Sequence, residues 1–201
     1  FLFIDLSKIT VIPCGTDFDL FNRKKLNKSN LLKISRDLRL KNKKVLLYYG
    51  SLGENYLVNK MVKLFKYLKS DNNDWIFMFL INNAHSQLEN ILKKNNLQKR
   101  DFRILKSSRI DLPNYLFFAD ISVFFYRSGM RSIGCSPTKL ADLFAMNIPI
   151  VTSSNLGDMK YIISLTKNNS LLIDRMYRSK VVEGIKKILF NKSFVQIRKN
   201  S

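Results

Sequence analysis

Short apolar runs alternate along this chain with segments whose apolar residues recur at helical spacing. Residues 45–49 and 75–81 are continuous apolar runs, which are typical of strands that a sheet buries on both faces. Between these runs, residues 55–69 repeat apolar side chains with the period of an amphipathic helix, as at Met61 and Leu64. This stretch therefore predicts a strand, a helix and a second strand.

The same alternation continues towards the end of the chain. Further strands are predicted over residues 102–105, 121–125, 148–152 and 171–173. Further helices are predicted over residues 29–38, 85–96, 111–118, 137–146, 157–164 and 178–190. Because alternating strands and helices need crossover connections, we predict an α/β fold with a doubly wound, mostly parallel, six-stranded sheet.

Ligands of doubly wound sheets bind at the carboxyl ends of the strands, so functional residues are expected in the loops that follow strands. Those loops are residues 50–55, 81–84, 106–109, 126–137 and 152–157. His85, the only histidine, follows the second predicted strand but has no acidic partner nearby in the sequence. We therefore interpret it as a surface residue or the start of a helix.

The composition is that of one globular domain, with 201 residues of which 46% are hydrophobic and 25% are charged. No apolar stretch is long enough for a transmembrane helix, and the first residues do not resemble a signal peptide. Since the chain does not begin with Met, we expect a preceding segment. Cys14 and Cys135 match no metal or redox spacing and are expected to be reduced thiols of a cytosolic protein.

The formal net charge of +20 has several possible causes. Binding of nucleic acid is one, and attraction to an anionic membrane surface is another. A third is coding bias, because Lys, Asn and Ile are all abundant and Lys is spread along the chain. The even spread favours coding bias with some membrane attraction, so we expect no nucleic-acid partner. The expected location is the cytoplasm, with peripheral binding at the inner face of the membrane as an option.

The loop Gly50-Ser51-Leu52-Gly53 connects the first predicted strand to a helix. Glycines let the backbone approach a ligand closely, and the N-terminus of a helix offers free N–H groups to a phosphate. The loop is not the G-x-G-x-x-G motif of nicotinamide-binding domains, and the next strand does not end in an acidic residue. An ordinary strand–helix turn explains this loop as well as a phosphate site does.

The segment 135–151 contains several polar side chains that could bind a ligand together. Ser136 is predicted to cap a helix whose first turn begins at Pro137. Thr138 and Lys139 then bring a hydroxyl and a cation to the unpaired N–H groups of that turn, as in a diphosphate-binding site. Asp142 lies one turn later on the same face, and its carboxylate could accept hydrogen bonds from both ribose hydroxyls. A capped helix with a surface Asp is the alternative.

Residues 136–151 resemble the S-P-T-K-L-G-E…P-V stretch of GT-B glycosyltransferases related to glycosyltransferase family 4. Other pieces keep the order of that family. Residues 11–17 resemble V-I-P-N-G-V-D, residues 49–53 resemble Y-x-G-S-L-G, residues 112–120 resemble V-P-x-Y-L-x-x-A-D, and residues 152–158 resemble T/N-S…G-D. The resemblance implies the Rossmann-like C-terminal half of a GT-B fold. Residues 1–22 would lead in from an N-terminal acceptor domain, and residues 23–201 would bind the nucleotide sugar.

The resemblance also implies a role for each matching residue. The donor is a nucleoside-diphosphate sugar, bound as substrate, with no cofactor and no metal. Its diphosphate and sugar would be bound by Gly50, Ser51, Leu52, Gly53, Ser136, Thr138 and Lys139. Asp142 would hold the ribose, and the base would be framed by Lys106, Ser107 and Ser108. The Arg and Lys that many family members carry after the first strand are absent at Ser51 and at residues 54–56. Lys139 and Arg127 or Arg131 would supply the missing positive charge. The implied reaction is retaining, metal-independent hexosyl transfer to a hydroxyl of a lipid-linked or polysaccharide acceptor.

Several positions depart from the family pattern. Asp142 replaces the usual Glu and has a shorter reach, and Gly134 stands where a first acidic residue is usual. The loop 126–134 contains glycine and basic residues and is expected to be mobile. The catalytic residues are not identified and are expected to lie partly in the N-terminal domain, so this part alone is expected to be inactive. Two alternatives stay open: a non-catalytic, degenerate glycosyltransferase partner domain, and a basic nucleic-acid-binding α/β protein.

Overall fold

The computed structural model describes residues 5–165, apart from residues 11 and 13, and residues 170–191. Within these ranges the strands are β1 Lys44–Tyr49, β2 Trp75–Leu80, β3 Phe102–Leu105, β4 Ile121–Val123, β5 Ile150–Thr152 and β6 Ser170–Leu172. The α-helices are α1 Lys28–Asp37, α2 Val58–Asp71, α3 His85–Lys94, α4 Leu112–Leu116, α5 Met130–Ile133, α6 Lys139–Ala145, α7 Met159–Ser164 and α8 Arg178–Phe190.

All six strands form one parallel sheet in the order β3-β2-β1-β4-β5-β6. The chain first adds strands on one side of β1 and then returns to add β4 on its other side. The predicted α/β fold with a doubly wound, six-stranded sheet is therefore confirmed. In such sheets the strand order reverses at a switch point, here between β1 and β4, where the connections diverge and leave a crevice.

The apolar runs form the centre of this sheet for the reason that their pattern predicts. Every residue of β2 is buried, as are residues 45–49 of β1, because helices cover a parallel sheet on both faces. Helix α2 directs Met61, Leu64 and Phe65 into the core and packs against α3 and α8. The apolar stripe of α2 therefore covers part of the sheet.

Several predicted boundaries differ from the structure. Helix α6 begins at Lys139 rather than at Pro137, and Thr138 takes the N-cap position without a side-chain cap. The predicted cap by Ser136 is therefore wrong: the N–H of Leu140 donates to the Pro137 carbonyl at 3.1 Å, which makes the entry a tighter i→i+3 turn. Strand β4 ends at Val123, earlier than predicted.

The loop 126–134 is more ordered than a simple connection. It contains the one-turn helix α5, and Tyr126 forms an isolated antiparallel bridge with Tyr56. The hydroxyl of Ser132 donates to the Gly129 carbonyl at 2.7 Å, and the Ser132 carbonyl accepts from the Gly157 N–H at 2.7 Å. The predicted loop is therefore tied to the connection that follows β5.

The segment predicted to lead into the domain packs onto it. Phe21, in that segment, is buried in the core, and Arg23, the first residue of the predicted domain, lies over the ring of Phe117 at 4.4 Å. The Arg23 guanidinium also donates to the backbone carbonyl of Met146 at 3.3 Å. In the part of the chain that the structure describes, no helix has the length and apolar character needed to cross a membrane.

Candidate functional site

Gly50 ends β1 and turns the chain at the carboxyl edge of the sheet. Its φ of +118° is a conformation that side chains disfavour, so glycine is the residue suited to this turn. Its N–H donates to the Leu80 carbonyl at 3.0 Å, which joins the turn to the end of β2. A Cβ at residue 50 would lie 3.0 Å from Nζ of Lys139, so the lysine lies directly against the glycine backbone.

A cavity of about 240 Å³ opens between the loops that follow β1 and β3, and we call it the carboxyl-edge cavity. It is lined by Tyr49, Gly50, Ser51, Leu80, Asn82, Ser107, Ser108, Arg109 and Leu112. The side chain of Asn82 bonds the backbone N–H and carbonyl of Ser107, both at 3.4 Å, and so braces the loop after β3. The structure thus brings together four of the predicted ligand residues, Gly50, Ser51, Ser107 and Ser108.

The other half of the glycine loop faces a different space. Leu52, Gly53 and Arg127 line a second cavity of about 570 Å³, which extends between α2 and α3. The backbone of Leu52 exchanges two hydrogen bonds with the side chain of Asn83, at 3.1 and 3.0 Å. The predicted diphosphate residues are therefore divided between two cavities.

Three further predicted residues lie apart from the carboxyl-edge cavity. Ser136 and Thr138 are exposed, and neither lines that cavity. Lys106 is also exposed and is not one of its lining residues, whereas its neighbours Ser107 and Ser108 are. Of the residues predicted to frame the base, only these two serines therefore reach the cavity.

Lys139 is buried rather than presented to solvent. Only 8% of the residue is exposed, and its ammonium has no hydrogen-bond partner among the described residues. Nζ lies 4.6 Å from the ring centre of Tyr56, 4.7 Å from that of Tyr48 and 5.2 Å from that of Phe124. These rings offset part of the cost of burial through cation–π attraction. Burial nevertheless lowers the pKa of Lys139 to about 7, so amine and ammonium coexist near neutral pH.

Asp142 is also buried, and its carboxylate is fully used within the protein. The hydroxyl of Tyr49 lies 2.7 Å from Oδ2, and the guanidinium of Arg109 donates to Oδ2 at 2.5 Å and to Oδ1 at 2.9 Å. The hydroxyl of Thr16 donates to Oδ1. These contacts occupy the lone-pair sites that a carboxylate offers. A ribose could bind Asp142 in this arrangement only by displacing one of these partners.

Arg109 is a site residue that the sequence reasoning missed. Its guanidinium lies 4.3 Å from the ring centre of Phe21, its side chain is 54% exposed, and it lines the carboxyl-edge cavity. The hydrogen bond to Asp142 raises the pKa of Arg109, so its charge is permanent. Arg109 falls within the loop 106–109 that was expected to be functional, and Thr16 falls within the first family-like segment. Nothing in the local pattern pairs either of them with residue 142.

The fold and the carboxyl-edge cavity define a Rossmann-like α/β domain, of the class whose ligands bind at that edge. A family model described as glycosyl transferases group 1 matches residues 32–200, and the chain belongs to this family. The predicted glycosyltransferase class is thereby confirmed, whereas the assignment to family 4 stays a prediction. A sequence comparison with proteins of curated function gives no significant match.

Solved structures, among them glycosyltransferases, share this fold. WaaG, a glycosyltransferase involved in lipopolysaccharide biosynthesis, has a TM-score of 0.71 at 14% identity, over 98% of this chain and 51% of its own. HepE from Anabaena, in complex with UDP and glucose, has a TM-score of 0.62 at 14% identity, over 90% and 47%. The C-terminal domain of the group 1 protein LpcC from Francisella tularensis has a TM-score of 0.59 at 12% identity, over 92% and 98%. The chain thus spans about half the length of WaaG and HepE.

Proposed function

We propose that this chain is the donor-binding domain of a glycosyltransferase and that it binds a nucleoside-diphosphate sugar in the carboxyl-edge cavity. The observation that carries the proposal is the convergence of the Gly50-Ser51 and Ser107-Ser108 loops on one cavity, in a member of glycosyl transferases group 1. Its location at the carboxyl edge of a doubly wound sheet is the expected one for a nucleotide. The fold shared with HepE, which was solved with UDP and glucose, supports the same choice.

The reaction would transfer the sugar to a hydroxyl of the acceptor and release the nucleoside diphosphate. The task of this domain is to stabilise the charge of the departing diphosphate with groups that are already in position. Gly50 allows the backbone to approach the phosphates, and Arg109 presents a guanidinium to the cavity. Lys139 would add charge if the bound phosphates reach its buried ammonium beside Gly50. Retention of configuration and independence from metal are proposed from the family resemblance only.

A second domain that faces the carboxyl edge would bind the acceptor and contribute the catalytic residues. A lipid-linked acceptor suits the charge of the chain, because a net charge of +20 attracts it to anionic lipid, whereas a polysaccharide acceptor is proposed from the family resemblance only. The proposed location is therefore cytoplasmic, at the inner face of the membrane. Leu52, Gly53, Arg127, Ser136 and Thr138 would contact the donor only after movement of the loops that carry them.

Isothermal titration calorimetry of the chain with UDP, GDP and ADP tests donor binding. We expect weak binding of at least one nucleotide and no sugar transfer by this chain alone. The corresponding nucleosides serve as controls, because a diphosphate site should bind them less tightly. Absence of binding by all three nucleotides, to a chain whose circular dichroism shows that it is folded, would contradict the proposal.

A non-catalytic partner domain is the second candidate. Two observations favour it. The carboxylate of Asp142 is already hydrogen-bonded within the protein, and Gly134 stands where the related glycosyltransferases usually have their first acidic residue. Such a domain would keep the fold while the assembled protein turns over no donor. Measured turnover of any nucleoside-diphosphate sugar by the complete protein would exclude this candidate.

A further inference from the structure

The ion pair between Arg109 and Asp142 is asymmetric in its exposure. The carboxylate side chain is 5% exposed, whereas the side chain of Arg109 is 54% exposed and lines the carboxyl-edge cavity. Asp142 therefore faces the protein, and Arg109 is the member of the pair that faces the cavity. A ligand that enters the cavity meets the guanidinium before it can meet the carboxylate.

The guanidinium is held in a defined orientation from two sides. Asp142 accepts two hydrogen bonds from it, at 2.5 and 2.9 Å, and Cζ of Arg109 lies 4.3 Å from the ring centre of Phe21. Phe21 is itself 1% exposed and packed in the core, so core packing fixes the position of its ring. A side chain that is held before the ligand arrives loses little conformational entropy on binding.

Arg109 also keeps hydrogen-bonding capacity for a ligand. A guanidinium has five N–H donors. Among the described residues, Asp142 accepts two of them and Thr16 a third, with Nη2 at 3.4 Å from the threonine hydroxyl. The remaining donors are the Nε–H and one N–H of Nη1, and each can donate a charge-assisted hydrogen bond to a phosphate oxygen.

We propose that Arg109 is the phosphate-contacting residue of the carboxyl-edge cavity and that Asp142 is its positioning residue. The inference rests on the proposed function, since it takes the ligand to be a phosphorylated donor. It gives Asp142 a role other than the predicted one: its carboxylate orients Arg109 and does not hold the ribose. The cavity then selects nucleotides over nucleosides through hydrogen bonds from Arg109.

Calorimetry of the chain with nucleotides and their nucleosides separates these roles. The Arg109→Ala variant should bind the preferred nucleoside diphosphate about tenfold or more weakly, the loss expected when charge-assisted hydrogen bonds are removed. Affinity for the matched nucleoside should change by less than about twofold, since phosphate contacts alone are lost. Arg109→Lys should give an intermediate loss, because an ammonium keeps the charge but cannot donate to Asp142 and to a phosphate from one planar group. Arg36→Ala, in the exposed part of α1, is the control with the same change in net charge.

Asp142→Asn tests the positioning role. If Asp142 orients Arg109, this variant should lose affinity for the nucleotide and keep its affinity for the nucleoside. If Asp142 holds the ribose, affinities for nucleotide and nucleoside should fall by the same factor, which would overturn the inference. The double variant Arg109→Gln, Asp142→Asn avoids leaving a buried charge without a partner. It therefore provides the measurement if Arg109→Ala does not fold, as checked by circular dichroism.

Inorganic pyrophosphate, used as a further probe, separates failure of this inference from failure of the proposed function. If the chain binds pyrophosphate but prefers no nucleotide, the donor proposal is contradicted. If Arg109→Ala then abolishes pyrophosphate binding, the phosphate-contacting role of Arg109 is supported. If Arg109→Ala binds nucleotides as tightly as the wild type or more tightly, the role of Arg109 is overturned and the donor proposal is not. Tighter binding would indicate that Arg109 blocks the access of ligands to Asp142. No binding of nucleotides or pyrophosphate by the folded wild-type chain would overturn both.

Discussion

A lysine in an aromatic enclosure is the most unusual single residue of this domain. The ammonium of Lys139 is surrounded by Tyr48, Tyr56 and Phe124 and has no hydrogen-bond acceptor among the residues described. Its charged form is therefore poorly solvated, and its pKa falls from 10.5 to about 7. The energetic cost of this burial depends on pH, which makes it measurable.

Between about pH 7 and pH 10, the unfolded chain holds a proton on Lys139 that the folded chain has released. Stability should therefore rise with pH in this window, by a few kcal/mol, and the gain should disappear below pH 7, where both states are protonated. Urea unfolding of the wild-type chain and of Lys139→Met at several pH values measures this, because the other titrating groups cancel in the difference. Lys106→Met, at an exposed lysine, is the control. Parallel pH profiles for wild type and Lys139→Met would contradict the shifted pKa.

Gly50 has a backbone conformation that favours glycine and lies directly against Lys139. Gly50→Ala should destabilise the chain by about 1–3 kcal/mol, because a Cβ is disfavoured at a φ of +118° and would press on Nζ of Lys139. The matched control is Gly134→Ala, where φ is −89° and no atom lies within 4 Å of an added Cβ. That substitution should be neutral or slightly stabilising. Chemical denaturation of both variants makes the comparison, and equal losses would show that the Gly50 turn tolerates a side chain.

At the scale of elements, the apolar runs predicted the central strands well. Strand β3 lies over the predicted residues, and β1 and β2 differ from the predictions by a single residue at one end. Helix ends were less well predicted, and α6 shows why. Ser136 and Pro137 have the residue types of a helix start, but the hydrogen bonds of this entry form a tighter turn that delays the helix to Lys139.

The entry of α6 yields a prediction about stability. Ser136→Ala should change the free energy of unfolding by less than about 0.5 kcal/mol, since the serine is exposed and provides no cap. The control is Asn27→Ala at the start of α1, where the side chain accepts hydrogen bonds from the N–H groups of Ser29 and Asn30. Loss of that cap should cost about 1 kcal/mol. Thermal unfolding of the two variants tests this, and a larger loss for Ser136→Ala would restore the predicted cap.

For the whole molecule, the excess of basic residues is the dominant property. The chain has 35 Lys and Arg residues against 15 Asp and Glu residues, and the basic residues are spread along the chain. A distributed positive charge favours attraction to an extended anionic surface over a single specific contact. This attraction is sensitive to salt, whereas burial of apolar side chains in a membrane is not.

Flotation with lipid vesicles tests the surface attraction. The chain should bind vesicles that contain an anionic phospholipid at about 0.1 M salt and dissociate at about 1 M, because the Debye length falls from about 10 Å to about 3 Å. Neutral phosphatidylcholine vesicles are the control and should not bind. Binding that persists at high salt would contradict an electrostatic mechanism. Retention on DNA at roughly 200 mM salt would instead favour the nucleic-acid alternative.

The sequence alone determined the α/β class and the alternation of elements, and it predicted the loops at which a ligand would bind. These features follow from local properties, because apolar periodicity depends on neighbours a few positions apart and the carboxyl ends of parallel strands meet at one edge. The family-like segments added the glycosyltransferase class, which the family match confirms. Residues 50–51 and 107–108, which line the carboxyl-edge cavity, lie in two of the loops that the sequence predicts to be functional.

Only the tertiary structure decided what the individual side chains of the site do. Arg109 and Asp142 are 33 positions apart, and Thr16 is 93 positions from Arg109 and 126 from Asp142, so their contacts depend on how distant segments pack. The burial of Lys139 likewise depends on aromatic rings that three separate segments bring together. No local pattern encodes such contacts, because burial and pairing are properties of the packed fold rather than of residue spacing.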